Sequence, residues 1–565
     1  MVCFQHLRRR PMNASDGKYR HDDHERLAYN ERISRMRKLE YPMLKGLTYL
    51  DHGGTTLAPK SLLESFCNEM QRTLLANPHS DSSNPSVTAI MVEQTRLAVL
   101  NMFNADPAYF DVVFTANATG AIKLVTEGFS DQDEGFDYFY HRNSHTSLVG
   151  VRELAHRSHC LASNEETEDW LAGGNRTFNA EPLSRRPMLF AYPAQSNMNG
   201  ERLPLDWIAK LRLSLHHPNS YSLLDVAALA STTPTDLSNH LFAPDFITLS
   251  FYKIFGFPDL GALVVRKAAG HVFDKRKYFG GGTTEMTTCI KESWVVRKES
   301  SLHARLEDGT IAFRNILALK CAITTHRRLF GGLEEVSKHA SWLAKILHKR
   351  LASMAHDNGA AVCRMYQSKD SSYDHSQTQG PTIAFNVRRS NGTYVGPWHV
   401  GASLRASKIH VRTGNVCNPG GIACALGVND EWLRGAFNAG LRCNTEADML
   451  DGIPVGIVRV TIGAVNTLED VDTLVACLSR DLMEQKDHVQ ATVKIYDKKD
   501  ERILGSRSPS AVSEINGIRI EPMISKREEH DNAPKTSRRP FPWLARRRSW
   551  LSAMIHTGRS AGSPP

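Results

Sequence analysis

Apolar positions recur along this chain with two different spacings, and those spacings predict its elements. In APKSLLESFCNEMQRTLL, residues Leu62, Phe66, Met70 and Leu74 recur every four positions behind Pro59, which marks one buried face of a helix. Short apolar runs of strand length stand between such segments: Val112 to Thr115, RPMLFAY, YSLLD and DFITLS. HTSLVGVRELAHRS and LDWIAKLRLSL read as helices between those runs. Strand and helix in turn, with strands apolar throughout, predict an α/β architecture: a mostly parallel sheet covered by helices.

After about Leu329 the pattern becomes a smaller α+β one. It holds the helix EEVSKHASWLAKILHKRLASM, the strand PTIAFNV, then SKIHVRTGN and VGIVRVTIG. Thr467 to Asp470 has the spacing of a capping box ahead of the helix DVDTLVACLSRDL. The reading divides the chain into an N-terminal extension (1–45), a large domain (46–325), a small α+β domain (326–485) and a tail (486–565). The tail loses periodicity, gains Ser, Pro, Glu and Lys, and reads as disordered.

Charge changes this picture little. The chain of 565 residues carries a formal net charge of +9, but Lys535, Arg538, Arg539, Arg546, Arg547, Arg548 and Arg559 supply seven of those charges in the tail, with no acidic residue after Lys535. The body is therefore nearly neutral, which argues against a nucleic-acid surface. Ten cysteines stand singly, which suits a reducing compartment better than a disulfide framework. No run is apolar and long enough to span a bilayer. These features predict a cytoplasmic protein without a transmembrane segment.

In an open α/β sheet, ligands bind beyond the carboxyl ends of the strands. Five segments place reactive residues there. Asp225 closes YSLLD, Lys253 follows DFITLS within SFYKIFG, Asn197 follows MLFAYPAQ, His145 follows YFYHRNS, and Thr119 and Gly120 open a helix after DVVFT. A helix N-terminus offers N–H groups and a positive dipole end to a phosphate. An aspartate can keep a heteroaromatic nitrogen protonated, a histidine ring can stack on it, and a lysine amine can condense with an aldehyde. That set of groups describes a site for pyridoxal 5′-phosphate. His141 and His145 stand at i and i+4, but no third ligand accompanies them, so no metal is expected. GGGTTE lacks the strand, turn and helix order of a dinucleotide fingerprint and reads as a loop.

The motifs YLDHGGTTLAP, NPHSDSSNPSVTAIMVEQTR, FTANATGAIKLV, the HTS of SHTSLVGVRE, AYPAQSNMNG, SFYKIFGFPDLGALVVRK, YFGGGT, LEDGTIAF and VRTGNVCNPGG stand in order between about Tyr49 and Leu478. Together they resemble the N-terminal part of the molybdenum cofactor sulfurases. These are enzymes of PLP-dependent fold type I, related to cysteine desulfurases and to class V aminotransferases. The resemblance implies that Lys253 carries the cofactor, Asp225 faces the pyridine nitrogen, His145 stacks on the ring and Asn197 meets the ring hydroxyl. It implies phosphate contacts from Thr119, Gly120, Ser250 and Tyr252, and from Thr283 reaching across a homodimer. It further implies a sulfur-accepting Cys417, with Arg412 and Arg459 holding the carboxylate of L-cysteine. Sulfur would pass through a Cys417 persulfide, with alanine released, to molybdenum cofactor or a molybdenum hydroxylase.

From the residues themselves, the glycines and proline around Cys417 predict an exposed loop. The sequence departs from the resemblance at three places. Position 228 is alanine where simple cysteine desulfurases carry glutamine, NPGGIAC is one residue longer than expected, and the segment after Glu484 is too short for a second, cofactor-binding domain. A different class V PLP reaction therefore stands as the alternative: C–S lysis, cysteine desulfuration or amine transfer without molybdenum cofactor.

Overall fold

The computed structural model describes residues 21–80, 86–174, 186–442 and 445–483. The tail read as disordered lies outside the described residues, as does the start of the N-terminal extension. A seven-stranded sheet runs in the order Phe110–Thr115, Gly261–Arg266, Phe246–Ser250, Ser220–Asp225, Met188–Pro193, Asp137–His141, Arg157–Leu161. Pairing is parallel from Phe246–Ser250 through to Arg157–Leu161. Gly261–Arg266 alone runs the other way, antiparallel to both of its neighbours. Six strands therefore present their carboxyl ends along one rim.

The apolar character of these strands follows from coverage on both faces. All five residues of Phe246–Ser250 are buried. Successive residues serve opposite cores, as the pleat requires: Val112, Ile247 and Val264 join the layer containing Leu62, Val99 and Trp207. Val113, Phe246 and Leu263 join the layer containing Ala121, Val125 and Phe129. HTSLVGVRELAHRS does not form the single helix that its spacing suggests. Helix Thr146–Val149 passes into a 3-10 turn at Gly150–Glu153, and Arg157 opens the edge strand. Glycine and β-branched valines are weak helix formers, and Tyr138 Oη donates to the Leu148 carbonyl at 2.8 Å.

A second, antiparallel sheet runs in the order Cys363–Met365, Thr382–Val387, Ile457–Thr461, Arg412–Gly414. Its core packs Ile383, Phe385, Val458 and Val460 against Leu343, Leu347, Leu404 and Leu474 from helices Leu333–Ala352, Pro397–Ala406 and Leu468–Leu482. Asp470 caps the start of the last of these helices by accepting from the Thr467 N–H at 2.9 Å. The strand of LTYLDHGG pairs with this side of the molecule: Thr48 and Tyr49 run parallel to Ile409 and His410, and Asp51 bridges to Thr461. Helices Phe313–Phe330 and Leu333–Ala352 meet at Gly331 and Gly332, whose φ values of 84° and 119° suit glycine alone. The change of texture sensed near 325 thus falls within the first of these helices, a few residues before that break. Helix His21–Glu40 seals the junction by packing Tyr29 and Ile33 with Leu329, Phe330, Val336 and Val465.

Buried histidines at this junction make stability depend on pH. Burial alone pushes the His326 imidazole down to about 4, and burial likewise lowers His339 to about 4. Each stays neutral in the folded chain while its unfolded counterpart protonates near 6.5, so the unfolded state binds more protons and stability falls as pH drops from 6.5 towards 4. One such group accounts for about 3 kcal/mol across that window. Urea unfolding of His326→Leu between pH 6.5 and 5 should show a shallower loss than the parent chain.

Candidate active site

The seven residues SFYKIFG sit at the carboxyl end of the strand Phe246–Ser250, on the rim. Strand Phe246–Ser250 ends in a short helical turn, Tyr252–Phe255, anchored by buried Phe251, Ile254 and Phe255. Gly256 closes the turn with φ of 79°, and a Cβ there would lie 2.3 Å from the Ala58 backbone nitrogen, so only glycine lets the two segments meet. The turn leaves Lys253 half-buried, with no hydrogen bond or ion pair on its amine among the described residues. Burial pushes the ammonium pKa down, Asp225, Cys417 and Asp51 pull it up, and Arg459 pushes it down further; the net shift is downward. An amine so placed is more readily found as the free base, the form that attacks carbonyl carbon.

Asp225 ends the next strand and is buried. One carboxylate oxygen accepts from the Ala227 N–H at 2.9 Å, leaving the other without a partner. His145 feels Asp225, Lys253 and Arg459 together. Burial lowers its pKa most, against the opposing pull of Asp225, so the ring is held towards neutrality. Its Nδ1 accepts from the Ser147 N–H at 3.1 Å, which puts the ring proton of the neutral form on Nε2.

Helix Ala118–Ser130 begins on the same rim. The Ala118 N–H donates to Ser250 Oγ at 2.9 Å, and the Gly120 N–H donates to the Asn117 side chain at 3.0 Å. The Thr119 N–H between them has no partner among the described residues, and the Thr119 hydroxyl pairs with Ser147 Oγ at 2.8 Å. Ser250 thus sets the helix start, while Thr119 presents a donor at the positive end of the dipole.

Cys417 lies at an exposed turn between strand Arg412–Gly414 and helix Pro419–Leu426, as its glycines and proline predict. It lies close enough to bear on the charges of both Lys253 and Arg459. The Thr146 N–H donates to the Cys417 carbonyl at 2.9 Å, tying the turn to the His145 segment. The Asn197 amide is committed to this turn as well: Nδ2 donates to the Val416 carbonyl at 2.7 Å and Oδ1 accepts from Asn418 Nδ2 at 2.9 Å.

The two arginines face each other across the ladder but differ in kind. Arg459 is 3% exposed. It donates from one terminal nitrogen to Asp51 at 2.8 Å and from the other to the Asn197 carbonyl at 2.9 Å, while its buried Nε has no partner. Gly53 lies against this guanidinium, since a Cβ there would be 3.2 Å from Cζ. Arg412 is exposed and carries no side-chain hydrogen bond or ion pair among the described residues.

The Tyr252 carbonyl accepts from the Thr56 and Gly256 N–H groups, which ties the turn to the segment after Asp51. Thr283 is not brought to the rim by hydrogen bonding; it is buried in its own loop, with its hydroxyl donating to the Gly280 carbonyl at 2.8 Å. Sequence reasoning missed Asp51, Gly53, Ser147 and Asn418. Asp51 and Gly53 stand in the YLDHGG motif, a polar Asp-His-Gly-Gly run directly after a strand, which was available as a signal. Among the described residues no three His, Cys, Asp or Glu side chains gather to hold a metal, and no helix is long and apolar enough to cross a membrane.

The chain resembles several curated proteins named molybdenum cofactor sulfurase. It is 47% identical to one from Aspergillus niger over 473 residues, which are 83% of this chain and 57% of that protein. It is 50% identical to one from Botryotinia fuckeliana over 450 residues, which are 79% of this chain and 55% of the other. The chain thus spans about half the length of the curated relatives it matches. Among solved structures, an apo cysteine desulfurase from Thermococcus onnurineus NA1 superposes with a TM-score of 0.60 at 19% identity, covering 80% of this chain and 98% of that one. A cysteine desulfurase from Escherichia coli gives 0.59 at 18% identity, covering 79% and 98%. Residues 48–474, which take in both sheets and the whole rim, match the class-V aminotransferases, and the chain belongs to that family.

Proposed function

We propose that this chain is a pyridoxal 5′-phosphate enzyme that moves sulfur from L-cysteine onto Cys417, releasing alanine, in the service of molybdenum cofactor sulfuration. The observation that carries the reading is the meeting of Lys253, Asp225 and Cys417 on one rim beside two guanidiniums. The residues fit the cofactor by what they leave unsatisfied: the amine of Lys253, one oxygen of buried Asp225, and the Thr119 N–H at a helix N-terminus. These match an aldehyde, a protonated ring nitrogen and a phosphate.

When bound, the cofactor supplies a carbonyl for amines and a sink for the electrons released at the cysteine Cα. The chain supplies the rest. With the cofactor bound, Asp225 would hold a proton on its ring nitrogen, and His145, kept towards neutrality, would pack against the ring without repelling that charge. Lys253, with its lowered pKa, takes and returns the Cα proton. The Cys417 thiolate attacks the substrate sulfur, the substrate C–S bond breaks, and its electron pair stays on carbon, which gains a proton to become the alanine methyl. The products are one persulfide on Cys417 and one alanine per cysteine. Arg412, exposed on the ladder, and Arg459, whose buried Nε has no partner among the described residues, supply the guanidiniums for the substrate carboxylate.

The names of the relatives support molybdenum cofactor, or a hydroxylase loaded with it, as the onward acceptor. Singly placed cysteines, the eight described ones all unpaired, suit the cytosol. Thr283, turned into its own loop here, is assigned to the phosphate of a neighbouring subunit, which makes the active species a homodimer.

Protein incubated with L-cysteine should release alanine and gain sulfane sulfur at position 417. Lys253→Ala should lose both activities by about 100-fold or more and lose the absorbance of bound cofactor. Cys417→Ala should keep that absorbance and carry no persulfide; equal sulfur release by this variant would sink the reading and favour C–S lysis. Restoration of activity to a desulfo molybdenum hydroxylase tests the acceptor, and a catalytically competent monomer in sedimentation would contradict the role of Thr283. Arg412→Ala should raise KM for cysteine about 10- to 100-fold, the worth of a charged hydrogen-bonded fork, and leave stability unchanged. Arg459→Ala should in addition lower the urea midpoint, because Asp51 loses its counter-charge.

A further inference from the structure

The turn bearing Cys417 is exposed, yet it is strained and fastened. Val416 and Cys417 both adopt positive φ, 43° and 55°, a region that side-chain-bearing residues rarely occupy and that a β-branched valine occupies least readily. Two consecutive residues in that conformation persist only where the surroundings hold them. The carbonyl oxygens of both are captured: Asn197 Nδ2 donates to Val416 at 2.7 Å and the Thr146 N–H donates to Cys417 at 2.9 Å.

Both captures lead back to Asn418, which is completely buried. Its Nδ2 donates to the Asn143 carbonyl at 2.9 Å and to Asn197 Oδ1 at 2.9 Å. Because Asn197 Oδ1 accepts that bond, its Nδ2 is the end left facing Val416. Asn143 lies three residues before Thr146, so the bond to its carbonyl fixes the segment that presents the Thr146 N–H. Asn418 also caps helix Pro419–Leu426, with its Oδ1 accepting from the Gly421 N–H at 2.9 Å. Gly420 brings that helix end against Arg142, where a Cβ would lie 2.4 Å from the Arg142 carbonyl oxygen.

We infer that Asn418 is a positioning residue for sulfur transfer: its two amide donors, acting through Asn197 and Asn143, hold the Val416 and Cys417 backbone in the left-handed setting that keeps the thiol at the mouth of the Lys253 site. The inference rests on Cys417 as the sulfur acceptor. The cap and the clamp use different atoms, so substitution separates them. Asn418→Asp keeps the acceptor for Gly421 and loses both donors; Asn418→Ala loses all three.

The test uses the cofactor-loaded enzyme and two readouts. In the first, iodoacetamide labelling is followed residue by residue by mass spectrometry, with exposed Cys424 as the internal reference. Both variants should label Cys417 at least about five times faster than the parent, relative to Cys424, because the turn is released. In the second, kcat for alanine release should fall at least about tenfold in both variants, with KM for L-cysteine and cofactor absorbance within twofold of the parent. Asn418→Asp behaving as the parent in both readouts overturns the inference and leaves Asn418 as a helix cap alone. Should Asn418→Ala fail to fold, the aspartate variant decides by itself. A parent enzyme that forms no persulfide at Cys417 refutes the functional reading, while labelling, which needs no turnover, still reports on the clamp.

Discussion

A guanidinium that is 3% exposed can stay charged only if a carboxylate reaches it, and Asp51 does so at 2.8 Å. Much of the rim depends on that pair. Asp51 follows a strand tied to the smaller sheet, Arg459 lies in the middle of that sheet, and the second terminal nitrogen of Arg459 fixes the backbone of Asn197 from the larger one. Asn197 in turn holds the Cys417 turn. One ion pair therefore sets where two sheets, a catalytic lysine candidate and a sulfur-acceptor candidate stand relative to one another.

Electrostatic balance around Lys253 follows from the same arrangement. Two cations, the Lys253 ammonium and Arg459, compete for a small volume, and burial penalises both, so both are displaced towards their neutral forms. Lysine yields first because its ordinary pKa lies lower than that of arginine. Asp225 moderates the shift on one side and Asp51 on the other. The result is an amine that can lose its proton beside a guanidinium that keeps its charge.

The larger sheet was legible because its strands are apolar on both faces and end in polar residues. Asp225, Lys253, Asn197, His145 and Thr119 could be placed at one edge from strand order alone, since each follows a run such as DFITLS or YSLLD. The shape of the HTSLVGVRELAHRS segment was not legible, because four residues of real helix and a strand with alternating exposure give the same apolar count as one long helix. Nor was the difference between Arg412 and Arg459. Neighbours across a ladder look alike in sequence, and what separates them is a carboxylate placed far away in the chain. Asn418 escaped notice for a related reason: Asn-Pro-Gly announces a helix start, and the donors of that side chain have partners 221 and 275 positions away.

That remoteness governs how the protein comes into being. Asp51 and Arg459 are separated by 408 positions. At a synthesis rate of about 5–20 residues per second, the aspartate leaves the ribosome roughly 20–80 s before its guanidinium is made. Through most of that interval the larger sheet can assemble from strands already translated, while the strand at Thr48–Tyr49 waits for Ile409–His410 to be made. The rim is thus closed late, by the strand at Ile457–Thr461 folding back onto the segment that carries Asp51.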